Sequence, residues 1–110
     1  MHPEDLTTLL RLNQGARVER LLKTGWRVEG RALAKGWRLS GDQEPQEAFL
    51  AVWALARAHD HHPEVTVGYA SLRLTLTTHD TGGLSERDLA LAEAIEGLEV
   101  ILRAAPAQPS

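Results

Sequence analysis

Four of the five histidines in this chain, His59, His61, His62 and His79, fall within about twenty residues, each a few positions from an aspartate. Imidazole, with an unperturbed pKa of roughly 6.5, is the side chain that gives and takes protons near neutrality. A histidine pair at a helix-to-strand corner, a third histidine at the end of a later strand, and Asp88 one turn into the next helix are expected to converge on one pocket from three elements. Such a cluster is what acid/base chemistry needs.

Two other uses of these residues have to be weighed. His59, Asp60, His61, His62 and His79 include ligand types that zinc accepts. No two of these histidines stand in the i, i+4 relation of a helical metal pair, and the chain has no cysteine to complete a tetrahedral set. No metal is therefore expected. His61 and His62 could instead simply close a helix, where a cationic imidazole is favoured by the helix dipole. His59, two residues before His61, reads as a solvated helix-end position.

The elements that must position this cluster are legible as changes of period. Pro3 suits a first helical turn, with Leu6, Leu9, Leu10 and Leu12 as an apolar stripe. Gly15 interrupts that stripe, and Val18, Leu21 and Leu22 resume it up to a stop at Gly25. From Trp26 the period is two. Trp26 and Val28, then Leu33, Lys35, Trp37 and Leu39, form a hairpin turning at Gly30, its second strand interrupted by Lys35. A helix from Pro45 to about Ala58 carries Ala48, Phe49, Val52, Trp53 and Ala56 at spacings of three and four, and Phe49 and Trp53 read as core. Val65, Val67 and Tyr69, then Leu72, Leu74 and Leu76, form a second hairpin, with Gly68 permitting an unusual backbone angle.

The last helix has the clearest start signal. Ser85 is an N-cap, Asp88 closes a capping box, Leu84 and Leu89 form a hydrophobic staple, and Leu91, Ile95, Leu98 and Leu102 supply the core stripe. Glu86 and Arg87 are expected in solvent, with Arg87 able to reach an anion, and Gly82-Gly83 shapes a turn. The order α-β-β-α-β-β-α implies an α+β fold, a four-stranded antiparallel sheet with three helices packed on one face. Its domain organisation reads as an N-terminal helical segment (1–24), one domain (25–103) and a frayed tail (104–110).

Composition narrows the partners. A length of 110 residues with 43% apolar residues suits one core. A net charge of −3 with no basic tract argues against nucleic acid and anionic membrane surfaces. No apolar run approaches a membrane span, and Met1-His2-Pro3-Glu4-Asp5 does not resemble a signal peptide, so a cytoplasmic location is expected.

The pattern His61-His62-Pro63, Tyr69, His79 and Asp88, with the run Thr77-Thr78-His79-Asp80-Thr81-Gly82-Gly83-Leu84-Ser85-Glu86-Arg87-Asp88, resembles the signature of the pterin-4a-carbinolamine dehydratase family. The early hairpin around Gly25-Trp26, Leu33, Trp37 and Leu39 is similar too, so the likeness covers about residues 24 to 103. Four residues before the histidine pair that family usually carries a glutamate, and this chain has Arg57.

The resemblance implies a lyase that removes water from 4a-hydroxytetrahydropterin to give quinonoid dihydropterin, in tetrahydrobiopterin recycling. It implies His61, His62 and His79 as catalytic residues, His61 and His79 being the acid/base pair and His62 orienting the substrate. Asp60, Asp80 and Asp88 would raise imidazole basicity or fix tautomers, and Pro63, Thr78 and Thr81 would frame the pterin ring. The pterin is the substrate, so no cofactor is implied. The implied partners are a second copy or three more, as homodimer or homotetramer, and a functional link to an aromatic amino acid hydroxylase. The resembled family also includes non-enzymatic dimerisation or assembly partners of other proteins, which is the alternative reading.

Overall fold

Val18 and Leu21 are the buried side of α1 (Gly15–Lys23), while Leu22, expected on the same stripe, faces solvent. The helix ends where predicted. Gly25 takes φ 110°, and the amides of Gly25 and Trp26 return to the carbonyls of Leu22 and Leu21, acceptors at the helix end. The computed structural model that shows this describes residues 14–41, 44–78 and 83–106. The stripe of Leu6, Leu9, Leu10 and Leu12, and the site candidates His79, Asp80 and Thr81, lie outside the described residues.

Beyond Gly25 the chain forms β1 (Arg27–Glu29) and β2 (Ala32–Arg38), and after the second helix β3 (Glu64–Gly68) and β4 (Ser71–Leu76). All pairings are antiparallel in the spatial order β1-β2-β4-β3. The central register sets Leu33 opposite Leu76, Lys35 opposite Leu74 and Trp37 opposite Leu72, so one face of the two middle strands is continuous. The five apolar members of this face are essentially inaccessible to water. Each buried leucine contributes about 1.5–3 kcal/mol of transfer free energy, which holds the helices on this face. The opposite face is polar. There Arg73 reaches across β2 to both carboxylate oxygens of Glu29 at 2.8 and 2.9 Å, over the small residues Ala32, Ala34 and Gly36.

Lys35 does not interrupt the buried face as the pattern suggested. Only 5% exposed, it places Nζ 2.9 Å from Glu96 Oε2 and 5.0 Å from the centre of the Trp37 ring. Trp26 Nε1 donates to the same Glu96 at 3.0 Å, and Trp26 packs edge-on against Trp37. A buried ammonium is tolerable because it is paired and hydrogen-bonded.

The second helix, α2 (Glu44–His59), buries Pro45, Ala48, Val52 and Ala56. Phe49 packs at the core margin, but Trp53, expected in the core, is half-buried and lies outside it. The hairpin turn after β3 also departs from expectation. Its left-handed residue is Ala70, at φ 56°, whereas a Cβ at Gly68 would lie 2.5 Å from Ser71 Oγ, which would have to rotate away.

The third helix, α3 (Glu86–Glu96), begins at Ser85 with both arms of the capping box formed, and buries Leu89, Leu91, Ala92 and Ile95. Gly97 ends it. The short α4 (Glu99–Leu102) restarts in a new phase that buries Val100 and Ile101 and leaves Leu102 71% exposed, so Leu102 is not part of the core stripe. The tail is not frayed at its start either. Ala105–Pro106 forms β5 against Trp37 and Arg38, filling the stretch of the β2 edge that the three-residue β1 leaves unpaired. Among the described residues no helix is long and apolar enough to cross a membrane.

Candidate active site

The site is built at the corner where α2 turns into β3. Helix termination decides its shape. Asp60 adopts φ 50°, the left-handed conformation that aspartate tolerates better than most residues, and its amide returns to the Arg57 carbonyl at 3.2 Å. The His61 amide then bonds the Ala56 carbonyl at 3.0 Å, completing the six-to-one closure of a Schellman stop with aspartate where glycine is usual. The corner is clamped from outside by Arg87, whose Nη2 donates to the Asp60 carbonyl at 2.6 Å. Neither role is evident from residue type alone. Asp60, expected to act on an imidazole, is exposed and acts through its backbone.

This reversal drives the His61 side chain inward, to 8% exposure, and leaves His62 outward. His61 Nε2 lies 2.6 Å from Oδ1 of Asp88, which is wholly buried. The other oxygen of Asp88 accepts from Thr78 Oγ1 at 2.7 Å and from the Ser85 amide at 2.9 Å. Ser85 Oγ in turn lies 2.7 Å from Thr78 Oγ1 and accepts from the Arg87 amide at 3.2 Å. One carboxylate thus serves two tasks. Oδ2 closes the helix cap, and Oδ1 orients an imidazole.

Because Asp88 is an acceptor along this contact, the network assigns the Nε2 hydrogen to His61 and leaves Nδ1, which has no hydrogen bond among the described residues, to exchange a proton. A buried carboxylate that holds one tautomer and one ring orientation is the support general acid/base catalysis requires. The neighbouring His62 is exposed, and its ring lies against Trp53 with centres 4.9 Å apart and planes inclined at 56°. Pro63 is buried beside it.

Of the residues singled out from the sequence, the structure brings together His61, Thr78 and Asp88, with His62, Pro63 and Asp60 adjoining them in the same corner. Thr78 and Gly83 pair through reciprocal backbone bonds at 2.9 and 3.0 Å, and Thr78 is buried. His59 is exposed and lines a shallow cleft with Glu86, Arg87 and Ala90, apart from the His61 ring. Among the described residues no three His, Asp or Glu side chains converge so as to hold a metal ion.

Sequence reasoning reads Ser85 only as a cap and misses Arg87 and Trp53 as parts of the corner. A signal for Ser85 is available in the cap itself, since a capping-box acid fixed by Ser85 is the acid that meets His61. For Trp53 there is none, because its neighbour His62 is set by the turn at Asp60.

The family model described as pterin 4 alpha carbinolamine dehydratase matches residues 11–98. A protein of Prochlorococcus marinus (strain MIT 9303), whose name gives it provisionally as a pterin-4-alpha-carbinolamine dehydratase, is 44% identical over 92 residues, covering 84% of this chain and 95% of its own. One of Chloroflexus aurantiacus, named in the same way, is 38% identical over 87 residues, covering 78% and 94%. Among solved structures, a transcriptional coactivator/pterin dehydratase from Brucella melitensis superposes with a TM-score of 0.64 at 26% identity, over 72% of this chain and 88% of that one. A family match across four-fifths of the sequence, a shared fold and a histidine corner with its buried aspartate lead to one conclusion: the chain belongs to the pterin-4-alpha-carbinolamine dehydratase family and is a dehydratase, a lyase, of that kind.

Proposed function

We propose that this enzyme removes water from a 4a-hydroxytetrahydropterin by general acid/base catalysis with His61, His62 and His79, and so returns the pterin to the tetrahydrobiopterin cycle. The observation that carries the reading is the His61–Asp88 pair, a buried imidazole held by a buried carboxylate that is itself tied to Thr78 and Ser85. The chemistry balances on protons alone. One proton goes to the C4a hydroxyl, the C–O bond breaks with release of water, and the N5–H proton is removed as a C4a–N5 double bond forms. Proton delivery and removal of this kind contribute typically about 10²- to 10⁴-fold. No cofactor is called for, the pterin being the substrate, and the carbinolamine would come from an aromatic amino acid hydroxylase.

In this reading the enzyme works as a homo-oligomer, a dimer or tetramer. The tryptophans Trp26 and Trp37 do not argue for that, because both are buried in the core. Support comes instead from Leu50, Val67, Tyr69 and Leu102, large apolar side chains left exposed on one small subunit. The alternative, a non-enzymatic partner of another protein, draws only on the word coactivator in the name of the Brucella protein and is not favoured.

Stopped-flow measurement of dehydration on freshly generated carbinolamine tests the activity directly. Acceleration above the unaided reaction that scales with protein concentration is expected. No acceleration with folded protein would overturn the reading.

A further inference from the structure

Trp53 stands next to Val52 and three residues before Ala56, both fully buried, yet it is half-buried and outside the core. Its indole contacts two rings. One is Phe49, with ring centres 5.5 Å apart and planes inclined at 31°; the other is His62, at 4.9 Å and 56°. Trp53 therefore links the α2 flank to the histidine corner.

The two histidines of the corner are held by different means. His61 is buried and hydrogen-bonded through its ring. His62 is exposed, and among the described residues its imidazole makes no hydrogen bond or ion pair and touches one aromatic ring, that of Trp53. Arg57, one turn beyond Trp53, is exposed, and its guanidinium pairs with no acid among the described residues. An exposed imidazole with two free torsions samples several rotamers. Contact with a large aromatic face favours one of them by about fivefold.

We propose that Trp53 is a positioning residue of the dehydratase site, holding the His62 imidazole in the orientation from which it meets the pterin. Trp53 acts through His62, so the proposal rests on the reading of His62 as a site residue. Phe49 packs against the same indole.

The test is a double-mutant cycle on the full chain, with kcat and KM measured on freshly generated carbinolamine for W53A, W53F, H62A and W53A/H62A. Expected are a fall of about fivefold in kcat for W53A with KM within about twofold of wild type, at least half of the activity kept by W53F, and no further loss when W53A is added to H62A. An unchanged kcat in W53A, or the same loss from W53A with and without His62, would overturn the proposal while leaving the site intact. Full activity in H62A would overturn the reading of His62 and the proposal with it. A second measurement does not depend on turnover. In a long-range proton–nitrogen spectrum, the His62 ring protons should be shifted by the Trp53 ring current, and should move towards free-imidazole positions in W53A but much less in W53F. Identical His62 shifts in wild type and W53A would overturn the proposal.

Discussion

His61 Nε2 and Asp88 Oδ1 lie 2.6 Å apart although 27 residues separate them in the chain. The contact joins the stop of one helix to the start of another. Both termini are defined by local backbone geometry, a left-handed Asp60 and a capped Ser85, so the imidazole and the carboxylate are each aimed by a rigid element before they meet.

Removing the acceptor should damage catalysis and stability together. Asp88→Asn keeps the shape but replaces one oxygen by an amide, so it cannot accept from His61 while also serving Ser85 and Thr78. The expected outcome is at least a tenfold loss in kcat/KM, about 1.4 kcal/mol of transition-state stabilisation. Denaturation should show a further loss of about 1–2 kcal/mol in folding stability from the weakened cap. Wild-type kinetics in this variant would show that the dyad is structural only.

His61→Ala and His79→Ala should each lower kcat/KM at least about tenfold with the domain still folded, as judged by circular dichroism. Retention of full activity by both would remove them as the acid/base pair.

Asp60 should obey backbone rather than charge logic. At φ 50° a glycine is unstrained, so Asp60→Gly is expected to hold the melting temperature within about two degrees and to keep most activity. A β-branched residue is not accommodated there: Asp60→Val should cost about 1–2 kcal/mol, or roughly 4–8 °C per kcal/mol in a domain of this size. A large loss in Asp60→Gly with an unchanged melting temperature would instead assign the carboxylate a chemical role.

The ion pair that ties α1 to α3 should report on acid stability. Arg17 Nη2 donates to Glu93 Oε1 at 2.6 Å, and this hydrogen bond, opposed by partial burial and aided by the guanidinium charge, holds the Glu93 carboxyl below the ordinary glutamate value of 4.5. A carboxyl whose folded pKa is depressed stabilises the fold fully above its unfolded pKa and ceases to do so as pH falls through the folded one. Arg17, raised from an already high value mainly by the same bond, stays charged throughout. Glu93→Gln should therefore lower stability at pH 7 by about 0.5 kcal/mol, a small amount because the pair is partly solvated. The gap from wild type should narrow as the pH falls below the ordinary glutamate value of 4.5, and a gap independent of pH would exclude this linkage.

The sequence by itself determined most of the elements and named the candidate site residues. Alternation in Leu72, Leu74 and Leu76 faces one side of a strand whatever the strand pairs with, and Ser85 with Asp88 caps a helix using only residues within one turn. Such signals are local, so residue order suffices to read them. The histidine pair and Asp88 stood out for the same reason, as types at fixed spacings, whereas Thr78 was implied only by the family resemblance.

Tertiary structure alone decided what those residues do to one another. Lys35 looked like a break in an apolar face until Glu96, 61 residues away, neutralised it. Leu102 matched the core period, but Gly97 reset the helical phase and turned it to solvent. Trp53 matched that period too, yet the turn at Asp60 carried His62 back against its ring. In each case the deciding partner is remote in the chain or reoriented by a break in a helix. A period counted along one element cannot contain that information, because it assumes the element continues and takes no account of what packs against it.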